Sequence, residues 1–240
     1  MNYKIYNTSN LNFNVEADTK AFYNLIYCDM IYEDENISDW LGLYWKHLKK
    51  NGIFIVQTDW HTDYLVRYEF EQFMSEPIFV NHAVWKNEWG NHPKNKMHQC
   101  YDSIIIYAKG ENYKFYPEKI QVPKVTKTKG LNPSGRETKQ ATAWIDDICL
   151  TTTAKERVKK KDGHLIQWQK PIRLFDRIIA PFVDEGDWIC DPFMGSGSLG
   201  EWSILNNCNY VGKELDKEIF ELAEKRLENA YKSGILSEEK

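Results

Sequence analysis

The stretch from Trp188 to Glu214 constrains the fold more than any other part of this 240-residue sequence. It reads WICDPFMGSGSLGEWSILNNCNYVGKE. The apolar residues WIC predict a short buried strand, Gly195 and Gly197 allow a sharp turn, and the residues that follow predict a helix. A second apolar run then ends at the acid Glu214. Strand, turn, helix and strand in this order are the unit from which α/β folds are built.

The glycine turn also has the features of a nucleoside-binding site. The two glycines let the backbone approach a ligand closely, while Ser196 and Ser198 keep the turn polar where the helix begins. Glu214 follows about twenty residues later, where a carboxylate can accept hydrogen bonds from both hydroxyls of a ribose. A G-x-G alone is common in ordinary turns. Its combination with the strand, the helix and the acid predicts a bound nucleoside cofactor.

The amino-terminal half predicts a second unit of the same kind. Residues 24–28 form a mostly apolar run that ends at Asp29, and ISDWLGLYWKHLKKNG has apolar residues at helical spacing, closed by Lys49, Lys50 and Gly52. The next apolar run, IFIVQTD, predicts a strand, and this order is typical of a parallel βαβ unit. Farther along, TDYLVRYEFEQFMS predicts a helix and YDSIIIYAKG predicts another strand.

Between residues 110 and 162 this regularity is lost. The segment carries prolines and many lysines, and we expect an insertion that does not continue the sheet. From Tyr113 to Asp162 there are twelve Lys or Arg against six Asp or Glu, whereas the net charge of the chain is −4. A basic segment is usually a solvated face, but it can also be the electrostatic footprint of nucleic-acid binding. Regularity returns with KPIRLFDRIIAPFV, in which Pro171 opens a helix.

Composition limits the remaining possibilities. No stretch has the roughly twenty apolar residues of a membrane span, and the amino terminus has no targeting pattern, so we expect a soluble cytoplasmic protein. Five scattered cysteines without paired spacing predict reduced thiols. His82, His92 and His98 lie near Cys100, but their irregular spacing favours ordinary loop histidines, and we expect no metal.

The quoted motifs together carry a family resemblance. DPFMGSG resembles the cofactor motif D-P-F-x-G-S-G-T of the amino-group DNA methyltransferases, which methylate N6 of adenine or N4 of cytosine. QKPIRLFDRIIAPFV and NYVGKELDKEIFELAEKRL resemble the elements on either side of that motif, and LIYCDMIY stands where the family has its catalytic motif D-P-P-Y. The resemblance covers about residues 25–109 and 163–230. A catalytic motif first and a cofactor motif last is the order of the β group.

The resemblance implies a fold and a domain organisation. The fold is α/β, the Rossmann-like methyltransferase fold, with a mainly parallel twisted sheet flanked by helices. Strands 25–28 and 188–191 are expected to end side by side, because ligands bind outside the carboxyl ends of such strands. The single domain 1–240 would contain a catalytic half (1–109), a target-recognition insertion (110–162) and a cofactor-binding half (163–240). The β group often dimerises, so a homodimer is a possible assembly.

The cofactor implied by the resemblance is S-adenosylmethionine. Glu214 would hold its ribose, the glycine turn would lie against its methionine part, and Asp191 would accept a hydrogen bond from its amino group. Lys170, at a helix start, suits the cofactor carboxylate but equally suits a surface lysine that precedes a helix. The predicted cofactor-binding residues are Lys170, Asp191, Phe193, Gly195, Ser196, Gly197 and Glu214.

The resemblance places the catalytic residues at Asp29, Met30 and Tyr32. The amino group of a base is a poor nucleophile, and two fixed acceptors, here the Asp29 carboxylate and the Met30 carbonyl, stabilise the charge that it acquires. The Tyr32 ring would stack on a base that has left the double helix. Met30 and Ile31 replace the two prolines of the family motif, which leaves open an altered reaction or a catalytically silent DNA-binding protein.

The substrate implied by the resemblance is DNA. An initial Asp is usual for N6-adenine enzymes and an initial Ser for N4-cytosine enzymes, so Asp29 favours adenine, while cytosine stays open. RNA or a small molecule is a further, lower-ranked alternative. In the basic insertion, cationic side chains would neutralise phosphates or reach base edges. The predicted DNA-binding residues are Lys127, Lys129, Arg136, Lys139, Arg157, Lys159 and Lys160.

Overall fold

A computed structural model describes residues 1–12, 22–30, 37–87, 92–124, 136–149, 156–166 and 168–238. Ten strands lie in these ranges: β1 (Tyr3–Asn7), β2 (Tyr23–Asp29), β3 (Leu48–Thr58), β4 (Ile78–Lys86), β5 (Tyr101–Ala108), β6 (Gln121–Pro123), β7 (Thr138–Gln140), β8 (Trp144–Ile145), β9 (Trp188–Asp191) and β10 (Asn209–Glu214). The α-helices of the same ranges are α1 (Ile37–His47), α2 (Asp63–Phe73), α3 (Ile172–Ile178), α4 (Ser198–Leu205) and α5 (Lys217–Glu238).

One sheet dominates the architecture. Its strand order is β1-β10-β9-β2-β3-β5-β4-β8, and among the described strands of this sheet only β5 runs opposite to the others. β6 and β7 form a separate antiparallel pair within the basic insertion. The predicted α/β fold with a mainly parallel sheet is therefore confirmed.

Both faces of the sheet are covered by helices. Along β2, Leu25 and Tyr27 pack in the core under α3, α4 and α5, whereas Ile26 and Cys28 pack in the core under α1 and α2. Successive residues of a strand point to opposite faces. A strand buried on both sides therefore needs a mostly apolar run, which explains why residues 25–28 have no charged member.

The junction between β2 and β9 is the topological switch point of the sheet. The two strands pair in parallel, with Leu25 opposite Ile189 and Ile26 opposite Cys190. From this junction the chain continues from β2 to β3 on one side, and from β9 to β10 on the other. Such divergence opens a crevice at the carboxyl ends of the two strands, which is where ligands bind in open α/β sheets. The predicted adjacency of strands 25–28 and 188–191 is confirmed.

The end of the first helix differs from the prediction. α1 ends at His47, and Leu48, Lys49 and Lys50 already belong to β3. Tyr23 pairs with Leu48 across β2 and β3, and the Lys49 ammonium donates a hydrogen bond to Asn24 Oδ1 over 2.9 Å. Tertiary pairing with β2 therefore overrides the helical spacing of these residues.

Both edges of the sheet contain strands that the sequence did not indicate. β1 pairs with β10 at one edge. At the other edge, β8 pairs with β4, so the prediction that the insertion does not continue the sheet is wrong at Trp144 and Ile145. Ile145 and Ile148 are buried, and Trp85 Nε1 donates a hydrogen bond to the Ile148 carbonyl over 2.7 Å, which docks this part of the insertion on the core.

Of the five cysteines, Cys28, Cys190 and Cys208 are buried, Cys100 is half-buried and Cys149 is exposed. Within the described ranges, no helix has the length and apolar character needed to cross a membrane.

Two helical glycines provide a test of the packing between α4, α5 and the sheet. A Cβ at Gly200 in α4 would lie 2.7 Å from Tyr210 Cε1 and 3.0 Å from Leu227 Cδ2, whereas a Cβ at Gly42 in α1 would meet nothing within 4 Å. We expect Gly200→Ala to lower the free energy of unfolding by about 1–3 kcal/mol through overpacking. Gly42→Ala should raise it by about 0.5–1 kcal/mol through helix propensity. Urea unfolding of both variants checks this, and equal effects would contradict the close approach at Gly200.

Candidate active site

A cleft of about 330 Å³ opens at the carboxyl ends of β2, β9 and β10. It brings together the predicted site residues Asp29 and Glu214, which are 185 positions apart in the sequence. The predicted site residues that line it are Asp29, Lys170, Asp191, Phe193, Gly195, Ser196 and Glu214. Its position is the switch point of the sheet, where a ligand site is expected.

Strand alternation aims three carboxylates into this cleft. Asp29 lies on the same face of β2 as the buried Tyr27, and Asp191 lies on the same face of β9 as Ile189. Glu214 likewise shares a face of β10 with the buried Tyr210. All three acids therefore point towards the side covered by α3, α4 and α5.

Lys170 forms a buried ion pair with Asp29. Its Nζ lies 2.7 Å from Asp29 Oδ2 and 3.8 Å from Asp102 Oδ2, and its side chain is only 6% exposed. The alternative of a surface lysine is thereby excluded. Burial alone would lower the pKa of the Lys170 ammonium, but the two carboxylates outweigh this effect and raise it. Burial raises the pKa of the Asp29 carboxyl, an effect that the Lys170 charge opposes.

A network of hydrogen-bonded polar side chains contacts this ion pair through Asp102. The sequence did not predict this network. Tyr27 Oη donates to Gln57 Oε1, Gln57 Nε2 donates to Asp102 Oδ2, and Asn87 Nδ2 donates to Asp102 Oδ1, each over 2.7 Å. Gln57 lies opposite Asp29 in the pairing of β2 with β3. Each buried polar group thus has a partner, and the network rigidifies the end of β2.

Met30, which replaces the first proline of the resembled motif, is buried. Its N–H donates a hydrogen bond to the Gln57 carbonyl over 3.2 Å, so the chain is still tied to β3 immediately after Asp29. Proline has no N–H and could not form this bond. Tyr32, the third predicted catalytic residue, lies outside the described residues.

The glycine turn adopts a backbone conformation that favours glycine at two positions. Gly195 has a φ of +51° and Gly197 a φ of +74°, and a Cβ at Gly197 would lie 2.7 Å from Leu227 Cδ1. Arg226 of α5 braces the turn, because its Nη1 donates to Ser198 Oγ over 2.9 Å and to Ser196 Oγ over 3.3 Å. Gly197 supports the turn from outside the cleft, whereas Gly195 and Ser196 line it.

Asp191 is the most strongly perturbed carboxyl group of the cleft. Burial raises its pKa to about 8, and the nearby charge of Asp29 acts in the same direction. The Phe193 N–H and the Tyr210 hydroxyl each donate to it over 3.2 Å, which opposes the shift. Burial also raises the pKa of Glu214, whose Oε1 accepts a hydrogen bond from the Asp216 N–H over 2.8 Å.

Further lining residues lacked a recognisable signal in the sequence. Thr8, Ser9 and Asn10 reach the cleft because β1 pairs with β10 and ends beside Glu214. Lys213 and Trp168 also line it. None of them belongs to a motif with known spacing, and only the pairing of the sheet edge reveals the contribution of the amino terminus.

The predicted DNA-binding residues fall into three groups. Arg136 and Lys139 are exposed at and beside β7. Arg157, Lys159 and Lys160 belong to a segment next to the cleft, in which Lys159 forms an antiparallel bridge with Leu165. Lys127 and Lys129 lie outside the described residues. Within the second group, Arg157 and Lys160 line a cavity that shares lining residues with the candidate active site.

Comparisons with known proteins agree with this geometry. A family model described as DNA methylase matches residues 24–225. The chain is similar to the Type II methyltransferase M.HinfI of Haemophilus influenzae, with 24% identity over 202 residues that cover 83% of this chain and 52% of that protein. The chain spans about half the length of the curated relatives that it matches over most of its own length.

Solved structures share the fold at low sequence identity. The cytosine-N4-specific PvuII DNA methyltransferase superimposes with a TM-score of 0.72 at 12% identity, covering 97% of this chain and 92% of that chain. A complex of M1.HpyAVI with SAM superimposes with a TM-score of 0.68 at 19% identity, covering 94% and 98%. The predicted methyltransferase fold is confirmed.

The perturbed carboxyl of Asp191 predicts a pH-dependent stability. The folded protein holds this proton up to about pH 8, whereas the unfolded chain releases it near pH 4, so the stabilisation is complete below about pH 4 and is lost as the pH rises through 8. From pH 5 to pH 9, the wild type should lose up to a few kcal/mol relative to Asp191→Asn. Urea unfolding at both pH values measures this. The exposed Asp39→Asn is the control, and a pH-independent difference for Asp191→Asn would contradict the assignment.

Proposed function

Because this chain belongs to the amino-group DNA methylase family, we propose that it is a DNA methyltransferase that uses S-adenosylmethionine to methylate N6 of adenine. The observation that carries the proposal is the single cleft shared by Asp29, at the end of β2, and by Asp191 and Glu214, at the ends of β9 and β10. The acceptor for the target amino group and the acids for the cofactor therefore face the same space.

The cleft suits S-adenosylmethionine in size and in charge. Its volume of about 330 Å³ falls within the usual range of small-molecule sites, about 300–1,000 Å³. Three acidic side chains face the space proposed for a cofactor whose sulfonium and ammonium charges would favour their ionised forms, and the left-handed Gly195 leaves room beside the backbone. We assign Glu214 to the ribose, Asp191 to the amino group and Phe193 to an apolar portion. When bound, the cofactor supplies an electrophilic methyl group.

Asp29 and Met30 act on the amino group of the target base. The lone pair of this group is delocalised into the ring, which makes it a poor nucleophile. The Asp29 carboxylate and the Met30 carbonyl accept hydrogen bonds from its two N–H groups and stabilise the positive charge that develops on the nitrogen. The base must leave the double helix to reach them, and the predicted stacking on Tyr32 would hold it there.

Lys170 prepares Asp29 for this role. Its ammonium engages Oδ2 of Asp29 and favours the ionised carboxylate in a site where burial favours the neutral form. The other oxygen, Oδ1, is then the acceptor for the target amino group. We further propose that Lys170 attracts the cofactor carboxylate, since it lines the same cleft immediately before α3.

The choice of adenine rests on the acid at position 29, because an initial Asp is usual for N6-adenine enzymes of this family. Cytosine N4 is the second candidate, since both reactions need the same two acceptors and the N4-specific PvuII enzyme has the same fold. Nucleoside analysis after transfer of a labelled methyl group to DNA of mixed sequence tests the choice. Label in N6-methyl-2′-deoxyadenosine supports the proposal, and label only in N4-methyl-2′-deoxycytidine overturns the adenine assignment.

A catalytically silent DNA-binding protein is the alternative suggested by the two absent prolines. The hydrogen bond from the Met30 N–H to the Gln57 carbonyl argues against it, because the bond ties down the segment that proline would otherwise stiffen. A wild-type protein that binds the cofactor but transfers no methyl group to DNA of any sequence would favour the silent form.

Asp29→Asn provides the sharpest test of the mechanism. The amide keeps a hydrogen-bond acceptor for Lys170 but loses the negative charge, so we expect methyl transfer to fall by about 100-fold or more. Cofactor affinity, measured by calorimetry, should change far less. Asp59→Asn is the matched control, since Asp59 follows the neighbouring strand β3 but does not line the cleft. Equal transfer rates for the two variants would refute the role of Asp29.

A further inference from the structure

A second cavity, of about 680 Å³, adjoins the proposed active-site cleft. Ile166, Trp168 and Ile219 line both spaces, so the two share a wall. The proposed methyl transfer uses no residue that belongs to this second cavity alone.

The floor of the second cavity is a short hairpin fixed to α5. The Lys160 N–H donates to the His164 carbonyl over 2.8 Å, and the Ile166 N–H donates to the Val158 carbonyl over 3.0 Å. The Lys161 N–H donates to Glu218 Oε1 over 2.8 Å, and the Lys161 ammonium lies 3.1 Å from Glu221 Oε2. The hairpin is therefore held in place by α5 of the cofactor-binding half. Its first residues were predicted to lie in the recognition insertion.

The charge of the second cavity favours an anion. Arg157, Lys160 and His164 line it, and the one acid among its described lining residues is Asp162, whose Oδ1 accepts a hydrogen bond from the His164 N–H over 2.9 Å. The Arg157 Nε is buried, and it finds no hydrogen-bond partner in the described part of the chain. A buried guanidinium donor without a partner costs free energy unless a ligand satisfies it.

Trp168 occupies the shared wall in a strained conformation. Its φ is +63°, a region that non-glycine residues rarely adopt, and its side chain is 50% exposed. Its carbonyl lies 3.4 Å from the Lys170 Nζ, which links its backbone to the partner of Asp29. Strain of this kind persists where the surroundings dictate it and is commonly found at functional sites. A half-exposed indole beside the reacting carboxylate offers a surface on which a base can stack.

We propose that the second cavity binds a nucleotide that flanks the target base, with Arg157 and Lys160 on its phosphate and the Trp168 indole against its base. This inference rests on the proposed function, because it assumes a DNA substrate in the neighbouring cleft. A phosphodiester matches the cavity in sign of charge, whereas S-adenosylmethionine, with its sulfonium, matches the carboxylate-rich cleft. The arrangement would hold the strand on one side of the flipped base.

Binding of a fluorescent single-stranded oligonucleotide of mixed sequence, measured over a range of salt concentrations, tests the phosphate contacts. For Arg157→Gln and Lys160→Gln we expect weaker binding and a slope of log affinity against log salt that is smaller in magnitude by about 0.7 for each lost contact. Lys232→Gln is the control, because Lys232 is exposed on α5 and lies outside both cavities.

Trp168 variants test the stacking contact. Trp168→Ala should lower affinity for the oligonucleotide by about 5- to 100-fold without changing the salt slope, and Trp168→Phe should retain most of it because a ring remains. Calorimetry with S-adenosylmethionine alone should give similar affinities for Arg157→Gln, Lys160→Gln and the wild type, because Arg157 and Lys160 line the second cavity but not the cleft. A loss of cofactor affinity with unchanged oligonucleotide binding would assign the cavity to the cofactor and overturn the inference.

The two proposals fail in different ways. If the wild type methylates DNA and every cavity variant binds the oligonucleotide like Lys232→Gln, the second cavity is not a nucleotide site and the proposed function stands. If the wild type neither binds nor methylates DNA, both proposals are wrong, and no variant is needed to show it.

Discussion

The buried ion pair between Lys170 and Asp29 joins the two halves of the molecule at the point where they must act together. Asp29 ends β2 in the first half, Lys170 precedes α3 in the second, and Asp102 of β5 completes the cluster. Removing one partner of such a pair leaves an uncompensated buried charge and commonly costs about 3–5 kcal/mol. The pair therefore couples the integrity of the fold to the placement of the carboxylate that we propose for catalysis.

The sheet explains why the acids that we propose for the cofactor and for catalysis share one space. Parallel pairing of β2 with β9 places their carboxyl ends side by side, and strand alternation turns Asp29, Asp191 and Glu214 to the same face. Burial is the largest cause of the raised pKa of each of these three carboxyls. A cationic ligand in the cleft would favour the ionised form of each carboxyl, which is consistent with the proposed sulfonium cofactor.

The departure from the D-P-P-Y pattern is easier to understand in the structure than in the sequence. Proline stiffens a loop by fixing φ, whereas Met30 is held by its own burial and by the hydrogen bond to the Gln57 carbonyl. The same Gln57 also contacts Asp102 and Tyr27 through its side chain. One residue of β3 therefore supports both the backbone after Asp29 and the network behind Lys170.

The sequence by itself determined the strands with continuous apolar runs, the glycine turn and the acids at the strand ends, because these features depend on local spacing and on burial of both faces. It placed Asp29, Asp191 and Glu214 correctly at the carboxyl ends of their strands. Only the tertiary structure decided that Lys49 and Lys50 extend β3, that β1 and β8 form the edges, and that Lys170 is the buried partner of Asp29. Those outcomes arise from contacts between residues distant in the chain, which no local pattern encodes.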